Sequence, residues 1–230
     1  MNIKIIGLGG IGTVFSELVT RYLTYSGINN ISICFIDGDS FERKNSERQI
    51  FQNLGNKAEI KFREINNPMG SINYTYIPEY INENNINRII FEDDIVFLCV
   101  DNHATRKLVS DHCVLLRNII LISGGNELLD GNVQIFIRKD NKNITPTITD
   151  YHPEINEPLD KNPNDMSCEE LSRLSEPQIF FTNAGVAIFM CFSFYNILNQ
   201  KDFNVSEVYF DIPKLVSDSK IRSPYVRKHA

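Results

Sequence analysis

Short β-branched runs alternate along the chain with stretches in which apolar residues recur at helical spacing. The runs at 3–6, 31–36, 94–100 and 119–123 are nearly continuous, which is typical of parallel strands covered on both faces. Between them, apolar positions recur every three or four residues, which indicates amphipathic helices. Because parallel strands are joined by right-handed crossovers, this order predicts a doubly wound α/β fold with a mainly parallel sheet.

The same pattern predicts the remaining elements. Further strands are expected at 74–77, 133–137 and 205–212, the later ones forming a C-terminal antiparallel extension. Helices are expected from the first glycine cluster to about Gly27 and at 54–65, 79–87, 103–116 and 179–198. We expect a single domain over 1–230, with a core at 1–137, a long loop segment at 138–176, and a helix, a strand and a solvated tail at 177–230.

A glycine cluster follows the first strand and reads Gly7-Leu8-Gly9-Gly10-Ile11-Gly12. Glycines let the backbone approach a phosphate closely, and the N–H groups that open the next helix favour an anion. Asp37 ends the second strand, where a carboxylate can bond both ribose hydroxyls of a nucleotide. These features predict a Rossmann-like fold that binds an adenosine nucleotide.

Further polar residues follow the strand ends, where an open α/β sheet presents its ligand crevice. Two cations and two amides come close to the phosphate loop, and a carboxylate after a later strand suits a hard metal ion. The set is Asp39, Asn45, Arg48, Gln49, Lys57, Asp101 and Asn102.

Each of these residues also has a purely structural interpretation. Arg48 and Lys57, taken singly, are typical solvated surface charges. Asp101-Asn102 could cap the helix that begins near residue 103, and Asp39 could shape a turn through its side chain.

Taken in order, these motifs resemble the ThiF/MoeB family of adenylyltransferases that activate ubiquitin-like proteins. The resemblance covers about 3–137 and, more loosely, the helix around Asn183. The matching motifs are Gly7 to Gly12, Asp37-Gly38-Asp39, Asn45-Ser46-Glu47-Arg48-Gln49, Gly55-Asn56-Lys57-Ala58, and Asp101-Asn102-His103-Ala104-Thr105-Arg106.

The resemblance implies a reaction that joins the C-terminal carboxylate of a small protein, usually ending in Gly-Gly, to the α-phosphate of ATP and releases pyrophosphate. It implies that Asp37 holds the ribose, that Lys57 lies on the pyrophosphate side, with Lys61 as the fallback, and that Asp101 binds Mg²⁺. It assigns the remaining ATP contacts to Gly7, Gly9, Gly10, Ile11, Gly12, Asp39, Asn45, Arg48, Gln49 and Asn102.

The five cysteines include no C-x-x-C pair, so we expect no zinc. Cys34, Cys99, Cys113 and Cys191 lie in apolar runs and are expected to be buried. Cys168 follows a polar stretch. By resemblance it is the candidate that accepts the activated protein as a thioester or persulfide, and an incidental thiol is the alternative.

Composition narrows the list of partners. The net charge of −6 makes a nucleic-acid partner unlikely. No signal peptide and no membrane-spanning run is expected, so the predicted location is cytoplasmic. The resemblance implies a homodimer or a complex with a partner subunit. The arginine that relatives carry before their first strand is either missing here or supplied from elsewhere, such as by another chain.

Other functions remain open at this stage. An NAD-dependent oxidoreductase would need only the glycine cluster and Asp37, leaving Arg48, Lys57 and Asp101 unused. A non-catalytic scaffold subunit would keep the fold and pair with an active partner. A relative that adenylates a peptide or a modified tRNA base is a further alternative.

Overall fold

A nine-stranded sheet forms the centre of the described chain, which comprises residues 1–65, 72–166 and 179–224 of a computed structural model. The strands are β1 Asn2–Ile6, β2 Ile31–Ile36, β3 Ser40–Phe41, β4 Gly55–Asn56, β5 Ile72–Ile77, β6 Asp94–Leu98, β7 Ile119–Asn126, β8 Asp130–Lys139, β9 Lys142–Asn143, β10 Glu207–Asp211 and β11 Val216–Lys220. The α-helices are α1 Gly10–Tyr25, α2 Lys57–Ile65, α3 His103–Cys113, α4 Pro153–Asn156 and α5 Phe180–Asn199.

The sheet order is β11-β10-β8-β7-β6-β1-β2-β5, and β9 pairs with β8. Strands β5, β2, β1, β6 and β7 run parallel, whereas β8, β10 and β11 extend the sheet antiparallel. From β1 the chain crosses to β2 on one side of β1, and it later forms β6 on the other side. The loops after β1 and β6 therefore diverge and open a crevice at the strand ends. This topology confirms the predicted fold class.

Two apolar layers cover the sheet. On one face Phe97 of β6 contacts Phe15 of α1 and Phe194 of α5, with ring centroids 4.3 and 5.3 Å apart. On the other face Val109 and Cys113 of α3 are buried against the sheet. The strands are apolar on both sides because both faces carry helices, as the nearly continuous runs in the sequence predicted.

Helix α5 carries no charged residue and is long and apolar enough to cross a bilayer by length and composition. The expectation that no segment reaches that length was therefore wrong. Its buried residues, among them Val186 and Met190, pack in the same core as α1 and the sheet. Through these contacts α5 belongs to the helical layer that packs on one face of the sheet.

The helix expected at 79–87 does not form, and only a 3₁₀ turn is present at Ile86–Arg88. Asparagine side chains bond the local backbone instead: the amide N–H of Asn82 donates to Asn85 Oδ1, and that of Asn84 donates to Asn82 Oδ1. Such bonds compete with helical hydrogen bonds. Helix α2 begins at Lys57 rather than at residue 54, because Gly55 and Asn56 pair with β3.

The C-terminal tail was expected to be solvated and irregular; its first part is exposed but forms strand β11, paired with β10. All five residues of β11 are exposed, so no apolar alternation signals the strand in the sequence. Strand β7 also continues through Gly124 and Gly125, where its end was expected. The expected loop segment at 138–176 contains, in its described part, strand β9 and the short helix α4.

The segment after β9 is joined to β10 by a buried ionic cluster. His152 hydrogen-bonds Glu154 Oε1 through Nδ1 at 2.8 Å and Glu207 Oε1 through Nε2 at 3.0 Å. Glu207 also accepts from Tyr209 at 2.8 Å and pairs with Arg222 at 2.9 Å. Burial alone would lower the His152 pKa, but the two carboxylates outweigh it, so the pKa is raised above 6.5.

This cluster should make stability depend on pH. The raised His152 pKa gives stabilisation that is complete below pH 6.5 and is lost as pH rises through the folded value. The pKa values of Glu154 and Glu207 lie below 4.5, despite burial, so their contribution is lost at acid pH. We expect the urea midpoint of unfolding to decrease as the pH is raised from about 6 to about 8. In His152→Gln the urea midpoint should depend less on pH over this range. An equal decline in both proteins would remove the cluster as its cause.

Candidate functional site

The glycine loop links β1 to α1 with its backbone close to the neighbouring strand ends. Gly7 has a φ of +85°, and its N–H donates to the carbonyl of Ile36 at 2.9 Å. A Cβ on Gly12 would lie 1.9 Å from the carbonyl oxygen of Gly7, so only glycine fits there. A Cβ on Gly9 would meet nothing within 4 Å, and no side chain caps α1 at this residue. The N-terminus of α1 is therefore open to an anion.

Asp37 is buried and fixes this loop. Its Oδ2 accepts the N–H of Leu8 at 2.5 Å, and its Oδ1 accepts the N–H of Asp39 at 2.8 Å. Burial raises the Asp37 pKa, while the Lys57 charge and the two backbone bonds oppose that rise. The carboxylate thus ties the glycine loop to the end of β2, which sequence reasoning did not foresee. Its ribose contact stays a prediction.

Lys57, the first residue of α2, is nearly buried and points at the same turn. Its Nζ pairs with Asp39 Oδ2 at 2.5 Å, and its N–H donates to the Asp39 carbonyl at 2.9 Å. Lys61, one turn later, is fully buried elsewhere: its Nζ contacts Glu17 Oε1 and the Ile50 carbonyl, both at 2.9 Å. Lys57 is therefore the lysine that lies at the candidate site, and Lys61 holds α2 against α1.

Asn45 ends a 3₁₀ turn at Arg43–Asn45, and Arg48 and Gln49 follow it. The backbone N–H groups of Arg48 and Gln49 donate to the Asn45 carbonyl at 3.1 and 3.0 Å, which holds the three residues in one tight turn. The Gln49 side chain is buried, and its Oε1 has no hydrogen-bond partner among the described residues. A buried amide without a partner is costly, so Gln49 is suited to a ligand contact.

Asp101 and Asn102 follow β6, at the other side of the crevice. Asn102 caps α3, its Oδ1 accepting the N–H of Thr105 at 2.8 Å, so the capping interpretation is correct for this residue. Asp101 is exposed. The described part of the chain has no group of three or more His, Cys, Asp or Glu side chains placed for a metal. A lone carboxylate still suits Mg²⁺, which usually takes its other ligands from phosphates and water.

Arg106 joins the ends of β6 and β7 beside Asp101. Its buried guanidinium donates to the carbonyl of Val100 at 2.9 Å and to that of Gly124 at 2.9 Å. Burial lowers its pKa, and the nearby Asp101 charge acts in the opposite direction. Arg106 therefore holds the floor of the crevice in place.

The site also includes a residue from α5. Asn183 is fully buried, and a Cβ on Gly10 would lie 2.3 Å from its Nδ2, so its carboxamide contacts the glycine loop. Neither amide atom has a hydrogen-bond partner in the described ranges. The sequence feature that could have pointed to this residue was an asparagine within an otherwise apolar helix.

Cys168 lies outside the described residues. Cys34, Cys99 and Cys113 are buried as expected, whereas Cys191 is only half-buried. Burial raises the pKa of all four thiols. None of these four is therefore a ready nucleophile.

The sheet order and the glycine loop define a Rossmann-like α/β domain with an uncapped helix N-terminus at its switch point. More specifically, the chain belongs to the ThiF family, whose profile matches residues 1–227.

Curated relatives agree with this assignment. The chain is 34% identical over 141 residues to the adenylyltransferase and sulfurtransferase MOCS3 of Drosophila virilis, covering 58% of this chain and 29% of that protein. It is 30% identical over 138 residues to the adenylyltransferase and sulfurtransferase UBA4 of Candida albicans, covering 58% and 30%. The chain therefore matches less than a third of the length of these relatives.

Solved structures share the fold. Escherichia coli MccB with ATP superimposes with a TM-score of 0.72 at 20% identity, covering 98% of this chain and 64% of that chain. MccB with AMPCPP and MccA gives a TM-score of 0.72 at 19% identity, covering 98% and 65%. At these identities the likeness concerns the fold alone.

Proposed function

We propose that this chain is an ATP-dependent adenylyltransferase that activates a C-terminal carboxylate as an acyl-adenylate. The observation that most supports this is the placement of Lys57, Gln49 and Asp101 near the open glycine loop. Lys57 pairs with Asp39, and Asp37, which bonds the N–H of Asp39, also bonds the N–H of Leu8 in that loop. Ile50, next to Gln49, donates to Thr13 of α1, and Val100, next to Asp101, lies against Gly7. An oxidoreductase would use the loop and Asp37 but would leave Lys57, Gln49 and Asp101 without a task.

In the proposed site, Asp37 orients the ribose and the N–H groups that open α1 face the phosphates. Asn45, Arg48 and Gln49 contact the triphosphate, and Lys57 exchanges its Asp39 partner for the departing pyrophosphate. Asp101 would hold Mg²⁺, which supplies positive charge that neutralises the phosphates.

The reaction forms one bond and breaks one. A carboxylate oxygen attacks the α-phosphorus, and the bond from that phosphorus to the pyrophosphate oxygen breaks, so the electron pair leaves with pyrophosphate. Negative charge therefore grows on the leaving group in the transition state. Lys57 stabilises that charge as it exchanges its Asp39 partner for the leaving group, and the new charged contact offsets the loss of the ion pair.

The proposed substrate is a ubiquitin-like or sulfur-carrier protein that ends in Gly-Gly. The relatives MOCS3 and UBA4 are named adenylyltransferases and sulfurtransferases, which supports a sulfur-carrier partner. The test is ATP–pyrophosphate exchange with such a protein, beside the same protein lacking its terminal Gly-Gly. Exchange that needs the two glycines would support the assignment, and exchange with neither protein would argue against it.

The proposal includes a homodimer or a partner subunit that covers α5. Phe181, Ile188 and Tyr195 are exposed and recur every seven residues, with Phe192 beside them, which is the spacing of a seam between two helices. Light scattering should give twice the mass of the chain, or reveal a monomer that needs another subunit. A monomer that is fully active alone would contradict this part.

Cys168 is the proposed acceptor of the activated protein, because it is a cysteine in a polar stretch of sequence outside the adenylation core. Cys168→Ala should still catalyse ATP–pyrophosphate exchange but should form no thiol-sensitive covalent adduct with the carrier protein. Cys191→Ala is the matched control, since burial raises the pKa of that thiol. An adduct that persists in Cys168→Ala would exclude Cys168.

A further inference from the structure

The aromatic ring of Tyr80 lies across Gly38, directly after β2. A Cβ on Gly38 would lie 2.6 Å from both Cγ and Cδ2 of Tyr80, so any larger residue would displace the ring. The ring packs against the Gly38 backbone, and Tyr80 as a whole is half-buried, so part of the residue remains accessible to solvent. Gly38 thus has a packing reason to be glycine, and that reason is Tyr80.

Three side-chain amides fix the segment that carries this ring. The Tyr80 carbonyl accepts from Asn85 Nδ2 at 2.8 Å and from Asn82 Nδ2 at 3.2 Å. The next carbonyl, of Ile81, accepts from Asn162 Nδ2 at 2.9 Å. These bonds hold the backbone that directly follows the aromatic side chain. The ring is therefore positioned before any ligand arrives, which lowers the entropic cost of binding.

The ring also lies among the carboxylates of the candidate site. Burial, together with the charges of Asp39, Asp37 and Asp101, raises the pKa of the Tyr80 hydroxyl. The hydroxyl therefore stays protonated at neutral pH. Asn162, which bonds the Ile81 carbonyl, also donates to Thr105 Oγ1 at 3.2 Å, so the Tyr80 segment lies beside the start of α3, which follows β6 and Asp101. Tyr80 therefore lies at the candidate site rather than on a remote surface.

We propose that the Tyr80 ring forms one wall of the purine subsite, with the nucleotide base stacked on its accessible face. This inference rests on the proposed function and adds a residue for base recognition, which the glycine loop and the phosphate-facing side chains do not provide. Aromatic side chains stack on bases through complementary π faces. The position follows from the ribose site, because a base attached to a sugar at Asp37 lies near the segment after the neighbouring strand β5.

The chain contains no tryptophan, so Tyr80→Trp introduces a single fluorescent reporter at this position. ATP should quench its emission in a saturable titration, because a stacked base quenches indole. Tyr25→Trp is the matched control: Tyr25 is 72% exposed at the far end of α1, and its reporter should not respond. Equal responses at both positions, or none at Tyr80→Trp while calorimetry detects bound ATP, would overturn the inference.

Calorimetry with two ligands separates the base from the phosphates. Tyr80→Ala should lose about tenfold in ATP affinity, whereas Tyr80→Phe, which keeps the ring, should stay within about twofold. Inorganic tripolyphosphate should bind the native protein and both variants equally, which also verifies that the variants are folded. Unchanged ATP affinity in Tyr80→Ala would overturn this inference alone. A native protein that binds no ATP would overturn the proposed function and this inference together.

Discussion

Replacing Asp101 by alanine should reduce ATP–pyrophosphate exchange at least 100-fold, an effect of the size seen when one transition-state contact is removed. Asp101 is exposed after β6, so the substitution should change the free energy of unfolding by less than about 0.5 kcal/mol. The loss of activity should therefore reflect the loss of the proposed magnesium ligand rather than of the fold. It should not be restored by lowering the temperature.

The matched control is Asp111→Ala, at the other end of α3. Asp111 is exposed and pairs with Lys107 at 2.9 Å, a surface ion pair that contributes little to stability. This variant should keep full exchange activity. If Asp101→Ala retains activity like the control, Asp101 has no place in the site.

The two neighbouring lysines of α2 should give opposite phenotypes. Lys57→Ala should lose exchange activity at least 100-fold, because its charge faces the turn that holds Asp39 beside the glycine loop. Lys61→Ala should instead unfold more easily, by about 3 kcal/mol, since it removes a fully buried cation and leaves Glu64 nearly buried without its partner. Urea denaturation measures the change in stability, and ATP–pyrophosphate exchange at low temperature measures the change in activity.

Each lysine is the other's control, because both lie on the same helix one turn apart. If Lys61→Ala is folded and retains exchange activity, the Lys61 side chain contributes to stability alone. If Lys61→Ala were instead stable and inactive, and Lys57→Ala active, the fallback lysine of the sequence analysis would be the functional one.

The sequence predicts the sheet well because its parallel strands are covered on both faces. Their apolar runs, such as Ile31–Ile36, need no tertiary information to be recognised. Strand β11 carries no such signal, since all of its residues are exposed. The expected helix at 79–87 failed because asparagine side chains offered the backbone other partners.

The residues of the candidate site also divide into those that the sequence could predict and those that it could not. Asp37, Lys57 and Asp101 could be predicted because each follows a strand or opens a helix at a recognisable motif. Tyr80 and Asn183 could not be assigned contacts, since they reach the crevice from segments whose position depends on tertiary packing. The choice between Lys57 and Lys61 likewise required knowing their partners, since both are buried on the same face of α2 and only Lys57 lies beside Asp39.

Thermal unfolding with ATP and Mg²⁺, run beside NAD⁺, tests the central claim most directly because it requires no knowledge of the protein substrate. A ligand at about 100 times its Kd should add about 2.7 kcal/mol, or roughly 5–10 °C for a domain of this size. We expect ATP with Mg²⁺ to raise the midpoint by that amount and expect the rise to disappear in Lys57→Ala and Asp101→Ala. Stabilisation by NAD⁺ alone would contradict the adenylyltransferase assignment.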